Sequence, residues 1–237
     1  MGLPRLDLLL ALAPAAATAA AAAAPIIGGS GEFRYQYMPG LLQLPEGAEI
    51  QDAHGLEVDE QHNIYLTYAN WNNGVQSNGT DEHCLIRWSP DGTGGTFMNK
   101  GGPALCSGKP HGLKLANEGG KMFLYHSNVA ETSRTRSGKL SKTTLEGELV
   151  WQLNGTFGQE NTTNYRPCWW GVPPTGPYIY LADGYGSSNV YVFTRDGKWT
   201  GRTFGGRGKQ HGQFETCVST HAVTLEPSSA GISLEIY

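Results

Sequence analysis

The sequence predicts an all-β fold built from repeated strand units, and three observations carry that prediction. Its 237 residues include 33 glycines, 13 prolines and 11 tyrosines, with only 16% charged residues. Such a balance suits many short strands joined by tight turns rather than long amphipathic helices. Four segments repeat one turn-and-strand pattern at steps of 57, 58 and 52 residues, counted from His54 to His111, Trp169 and His221. The third unit then shows strand, tight turn and returning strand in the order of a meander.

From the N-terminus, Arg5 precedes an apolar stretch, Leu8 to Ala24, that ends in small residues before Pro25. This is the layout of a secretory signal over residues 1–25. Asp7 at the edge of the stretch and its alanine-rich half leave a plastid-type segment or an uncleaved signal anchor as the alternative, and only the anchor would bring a membrane into play. Sequons at Asn78, Asn154 and Asn161 agree with an exported glycoprotein once a signal precedes them. Cys84, Cys106, Cys168 and Cys217 are even in number and lack C-x-x-C spacing, which points to one or two disulfides in a secreted or lumenal protein. Of the three pairings, Cys84 with Cys106 and Cys168 with Cys217 is the least contorted.

Residues 32–227 read as β-propeller blades, and residues 228–237 as a C-terminal tail that supplies one short strand at best. The blade starts are Ala53–Val58, Pro110–Leu115, Cys168–Val172 and Thr220–Leu225. Three are followed by an apolar second strand: Asn63–Thr67, Lys121–Tyr125 and Tyr178–Ala182. Third strands follow at Leu85–Trp88, before the turn Ser89-Pro90-Asp91-Gly92, and at Asn189–Phe193, before Arg195-Asp196-Gly197-Lys198 and the return Trp199–Phe204. The chain holds three to four such units. Six blades need roughly 300 residues, so the set is expected to be incomplete, with a blade face left open to water.

The run Ala182-Asp183-Gly184-Tyr185-Gly186-Ser187-Ser188-Asn189-Val190, with Phe204-Gly205-Gly206-Arg207-Gly208 and Gly212-Gln213-Phe214 after it, resembles the NHL-repeat propellers. Among these it is most similar to the peptidyl-α-hydroxyglycine α-amidating lyases (peptidylamidoglycolate lyases). The resemblance is strong from Tyr178 to Leu225 and blade-level from Gln51 onward. It implies a six-bladed family fold and a zinc-dependent carbon–nitrogen lyase that releases a peptide amide and glyoxylate, or a degenerate relative of one.

His54, His111 and His221 occupy equivalent blade-start positions, so a propeller would gather them round one axis. Three imidazoles at about 2.0–2.1 Å could hold Zn²⁺ with a fourth position open. By the resemblance, His111 and His221 match two of the family's three zinc ligands, the third falls in a blade this chain lacks, and His54 lies where the family has none. Tyr185 matches the tyrosine used there as general base. The family's substrate-holding arginine has no counterpart in Tyr68-Ala69-Asn70-Trp71-Asn72-Asn73. Calcium is the weaker candidate cofactor, as a brace for the channel.

Two alternatives run alongside this reading. The His-Gly starts could be blade architecture, each ring bonded to a neighbouring carbonyl. The whole could be a scaffold that binds a protein or glycan without a reaction. A net charge of −4 and the lack of a Lys/Arg-dense run exclude nucleic acid as the expected partner. Trp169 and Trp170 suit either a channel mouth or packing between blades.

Overall fold

The computed structural model describes residues 26–69, 71–72, 75–76, 83–98, 105–106, 109–129, 138–154, 165–214, 223–225 and 234–235. The proposed signal (1–25), His221, Cys217 and the sequons at Asn78 and Asn161 lie outside them. The chain divides into two units, Met1–Pro39 and Gly40–Tyr237. In the first, β1 (Ile26–Ser30) and β2 (Phe33–Tyr37) form an antiparallel hairpin.

Among the described residues the second unit is nearly all β and holds three four-stranded antiparallel sheets, each a meander in chain order. The first sheet runs β3 (Asp52–Val58), β4 (Ile64–Ala69), β7 (Leu85–Trp88) and β8 (Thr96–Phe97), with the small β5 (Trp71–Asn72) and β6 (Val75–Gln76) pair inserted between β4 and β7. The second runs β9 (Lys109–Glu118), β10 (Lys121–Val129), β11 (Lys139–Thr143) and β12 (Leu149–Asn154). The third runs β13 (Trp169–Gly171), β14 (Tyr178–Ala182), β15 (Asn189–Thr194) and β16 (Trp199–Gly205). A further pair, β17 (Thr224–Leu225) and β18 (Leu234–Glu235), begins a fourth sheet.

These sheets are propeller blades, because the first strand of each packs on the first strand of the next through a glycine. A Cβ built on Gly55 of β3 would lie 2.5 Å from Leu113 Cβ on β9. One built on Gly112 of β9 would lie 2.2 Å from the Cys168 carbonyl and 3.0 Å from Trp169 Cα, and one on Gly171 of β13 would lie 2.6 Å from Val223 Cγ1. The missing side chain thus sets the spacing between blades three times over, and the strands β3, β9 and β13 form successive inner strands round one axis. In the third blade Trp169 pairs with Ala182 and Trp170 with Leu181 without a register shift, and the Cys168 carbonyl takes the place that the His111 carbonyl has one blade earlier.

Apolar side chains between blades form the core. Tyr65, Leu85, Leu113 and Leu124 join the first blade to the second. Trp170, Ile179, Leu181 and Phe193 of the third blade pack with Tyr125 and Leu140 of the second. Trp170 is fully buried and donates its indole N–H to the His126 carbonyl at 3.0 Å, so it is a packing residue. Tyr180, Ala182, Val190 and Val192 meet Val223.

The expected open face of the first blade is largely closed by the chain itself. Leu42, Ala48 and Ile50 pack against Tyr68, Ile86 and Trp88, and Trp88 Nε1 donates to the Gln43 carbonyl at 2.7 Å. This irregular segment does what a capping repeat does in a stacked array. On the inner strand, Leu56 and Val58 remain 53% and 48% exposed.

The Cys84–Cys106 disulfide forms as expected. Cys168 is a buried thiol, which burial pushes up to about 12. A disulfide of this kind persists in oxidising compartments. Among the described residues, no helix is long and apolar enough to cross a membrane.

Candidate functional site

The inner strands of the first two blades carry a β-bulge at the same place. Ala53 pairs with Tyr68 and Leu56 with Leu66, so His54 and Gly55 together oppose Thr67. Pro110 pairs with Asn128 and Gly112 with Ser127, so His111 is the extra residue of the second bulge. Bulges re-aim side chains, and here both turn a histidine to one end of the blade array.

The structure brings three of the four expected site residues together. The His54 and His111 rings stack with centroids 4.1 Å apart and planes 19° from parallel. Tyr185, on the turn between β14 and β15, meets His111 edge-on at 5.4 Å and 77°. That turn is held by the buried Asp183, whose carboxylate accepts from the Ser187 N–H at 2.8 Å and the Ser187 hydroxyl at 2.7 Å. Burial raises the Asp183 pKa, and the Ser187 and Arg166 backbone donors only partly offset that rise.

Each imidazole is fixed differently. His111 is buried, and its Nδ1 lies 3.1 Å from the Cys168 carbonyl. A carbonyl only accepts, so Nδ1 carries the proton and, in the neutral ring, Nε2 carries the lone pair. His54 Nε2 lies 2.8 Å from Asp52 Oδ1, and Asp52 Oδ2 forms an ion pair with Lys109. Asp52 and Lys109 each sit two residues before their histidine, so this ion pair also joins equivalent positions of neighbouring blades.

A zinc ligand needs one lone-pair nitrogen free to face the metal and gains from a carbonyl on its other nitrogen. His111 has such a carbonyl, that of Cys168, on its Nδ1, whereas the Nε2 of His54 lies beside the Asp52 carboxylate. Among the described residues, no group of three or more His, Cys, Asp or Glu side chains is placed to hold a metal ion, whether zinc or calcium. His221, the other matched ligand, lies outside them.

Tyr185 is 37% exposed, and burial, with Cys168 and Asp52 nearby, raises its pKa. At neutral pH it is therefore a phenol that donates. The stretch expected to lack an arginine begins at the buried Tyr68 and Ala69. Sequence reasoning missed Asp52, Lys109 and Ser127. The first two were legible as a charge pair one blade apart at a fixed offset from His54 and His111.

At the other ends of the inner strands, a groove of about 710 Å³ is lined by Glu57, Lys114, Ala116, Val172, Pro173 and Pro174, among others. Lys114 bridges it to Glu57 at 2.9 Å.

No protein-family model matches the chain, and no curated protein matches it in sequence. One similar solved structure is the X-ray structure of a protein provisionally designated a gluconolactonase, at 16% identity and a TM-score of 0.41. The match covers 72% of this chain and 58% of that one, so this chain spans less than two thirds of its length.

Proposed function

We propose that the His111 end of the propeller is the ligand site of a secreted protein related to the NHL-type amidating lyases. In this reading His111 and His221 hold zinc, and Tyr185 exchanges a proton with a peptidyl α-hydroxyglycine that is cleaved to a peptide amide and glyoxylate. The single observation that carries it is the Nδ1–H of His111 on the Cys168 carbonyl, which leaves the lone pair on Nε2 of a ring that Tyr185 meets edge-on.

The bound cation would supply positive charge that lowers the pKa of a neighbouring hydroxyl. The chain's own residues do the rest. The stacked His54 ring walls one side of His111, and the Asp183 turn holds Tyr185 edge-on to it. Tyr185 starts as a donor, since burial and Asp52 raise its pKa, and a base role for it depends on added positive charge nearby.

Glyoxylate release from a peptidyl α-hydroxyglycine, assayed on secreted protein supplied with zinc, tests the reading. Turnover that falls at least about 100-fold in Tyr185→Phe supports it, and no glyoxylate above the uncatalysed rate rejects it. The groove at the opposite end favours a second reading, in which the propeller is a scaffold for a protein or glycan. That reading predicts ligand capture unchanged by His111→Ala.

A further inference from the structure

A hydroxyl on the second strand of each of the first two blades stands opposite the His-Gly bulge, and both hydroxyls reach the next blade. In the second blade, Ser127 is fully buried on β10. Its Oγ accepts from the Gly112 N–H at 3.0 Å and donates to the Cys168 carbonyl at 2.8 Å. The same carbonyl accepts the Nδ1–H of His111. Backbone, hydroxyl, carbonyl and imidazole therefore close one ring: Gly112 to Ser127, Ser127 to Cys168, and Cys168 back to His111, the residue bonded to Gly112.

In the first blade Thr67 stands in the equivalent place. Its Oγ1 accepts from the Gly55 N–H at 3.1 Å and lies 3.4 Å from the His111 carbonyl. The device is thus repeated, and the second copy closes on the His111 imidazole. The corresponding contact of Thr67 is to the backbone of His111.

We propose that Ser127 is the positioning residue of the site, holding the Cys168 carbonyl so that His111 keeps its Nδ1–H form and presents Nε2. This rests on the reading of His111 as the ligand-facing group. Ser127 touches neither ligand nor metal in this account, and acts through the carbonyl it shares with His111. Without its hydroxyl the Gly112 N–H is buried with no acceptor in place, and the carbonyl loses the bond that fixes its direction.

The test uses the full chain as Ser127→Ala, Ser127→Thr and Thr67→Ala. The first readout needs no metal: solvent exchange of the His111 Nδ1 proton in ¹⁵N-labelled protein, the signal being assigned by its loss in His111→Gln. Ser127→Ala is expected to speed that exchange at least about tenfold. Ser127→Thr, with the hydroxyl that the first blade uses at this place, is expected to restore it. Thr67→Ala, which removes the other inter-blade hydroxyl, controls for loosened packing and is expected to leave the exchange within about twofold of wild type. The second readout is the affinity for zinc alone, expected to weaken about 10- to 100-fold in Ser127→Ala.

Unchanged Nδ1 exchange in folded Ser127→Ala, or equal acceleration in Thr67→Ala, overturns the proposal. If the wild-type chain binds no zinc while the exchange result stands, the positioning role survives and the metal reading of His111 fails. If Ser127→Ala does not fold, Ser127→Cys, whose thiol is only a weak donor, takes its place as the variant expected to speed the exchange, and exchange as slow as in the wild type overturns the assignment.

Discussion

The imidazoles of His54 and His111, 57 residues apart in the chain, stack at 4.1 Å because Gly55 lets the two inner strands meet. A Cβ on Gly55 would meet Leu113 Cβ at 2.5 Å and the Leu113 backbone N at 2.7 Å. Gly55→Ala is therefore expected to cost about 2–3 kcal/mol through overpacking. Gly171→Ala meets a side-chain methyl of Val223 and should cost less. Urea denaturation of both variants checks the order, and an equal or reversed order would contradict the blade-to-blade contact.

Acid should weaken the fold through His126. It is buried, with Nε2 2.9 Å from the Thr143 hydroxyl, and burial pushes its pKa from 6.5 down to about 3. The unfolded chain takes up that proton below about 6.5 while the folded chain stays neutral. Stability is therefore full above 6.5 and falls as the pH drops toward 3, by on the order of 1 kcal/mol per pH unit. Denaturation midpoints between pH 7 and pH 4 measure the slope, which His126→Gln is expected to flatten.

Glu118 binds the second blade to the third. Lys142 Nζ lies 2.6 Å from Glu118 Oε2, Tyr125 donates to Oε1, and Arg195 stands 3.4 Å away. Burial raises the Glu118 pKa, but the hydrogen bonds from Lys142 and Tyr125 outweigh it and hold the carboxyl below its ordinary value. That contribution is present above the ordinary carboxylate range and is lost as the pH falls through the lowered pKa. Lys142→Met is expected to cost about 3 kcal/mol by leaving a half-buried carboxylate short of its main cation. Adding Glu118→Gln should recover part of the loss, and an additive double variant would count against the network.

Reduction of Cys84–Cys106, which closes a loop of 22 residues' separation, is expected to lower stability by about 3 kcal/mol. Denaturation with and without reductant measures it. Cys84→Ser/Cys106→Ser should reproduce the reduced value.

Much of this fold was legible in the sequence because blade starts keep a local pattern. His54-Gly55-Leu56 and His111-Gly112-Leu113 announce an inner strand, and the second strands at Ile64, Lys121 and Tyr178 fell where alternation put them. In the third blade the inner strand pairs without a register shift, so the His-Gly bulge of the first two has no counterpart there, and that difference lies in backbone pairing rather than in residue type. The cap from Leu42 to Ile50 was not legible, since it has no periodicity and earns its place only by what it covers.

At the site, equivalence of positions was enough to bring His54 to His111. It could not show that Asp52 engages His54, since that depends on the bulge and on Lys109 one blade away. Nor could it show Ser127, whose role exists only where the Cys168 carbonyl crosses from the next blade.

Zinc content of secreted, chelator-free protein, measured by mass spectrometry beside His111→Ala, tests the central claim most directly. The account predicts near one zinc per chain in the wild type and a loss of it in the variant. Zinc at background in the folded wild type, or equal zinc in both proteins, would contradict it.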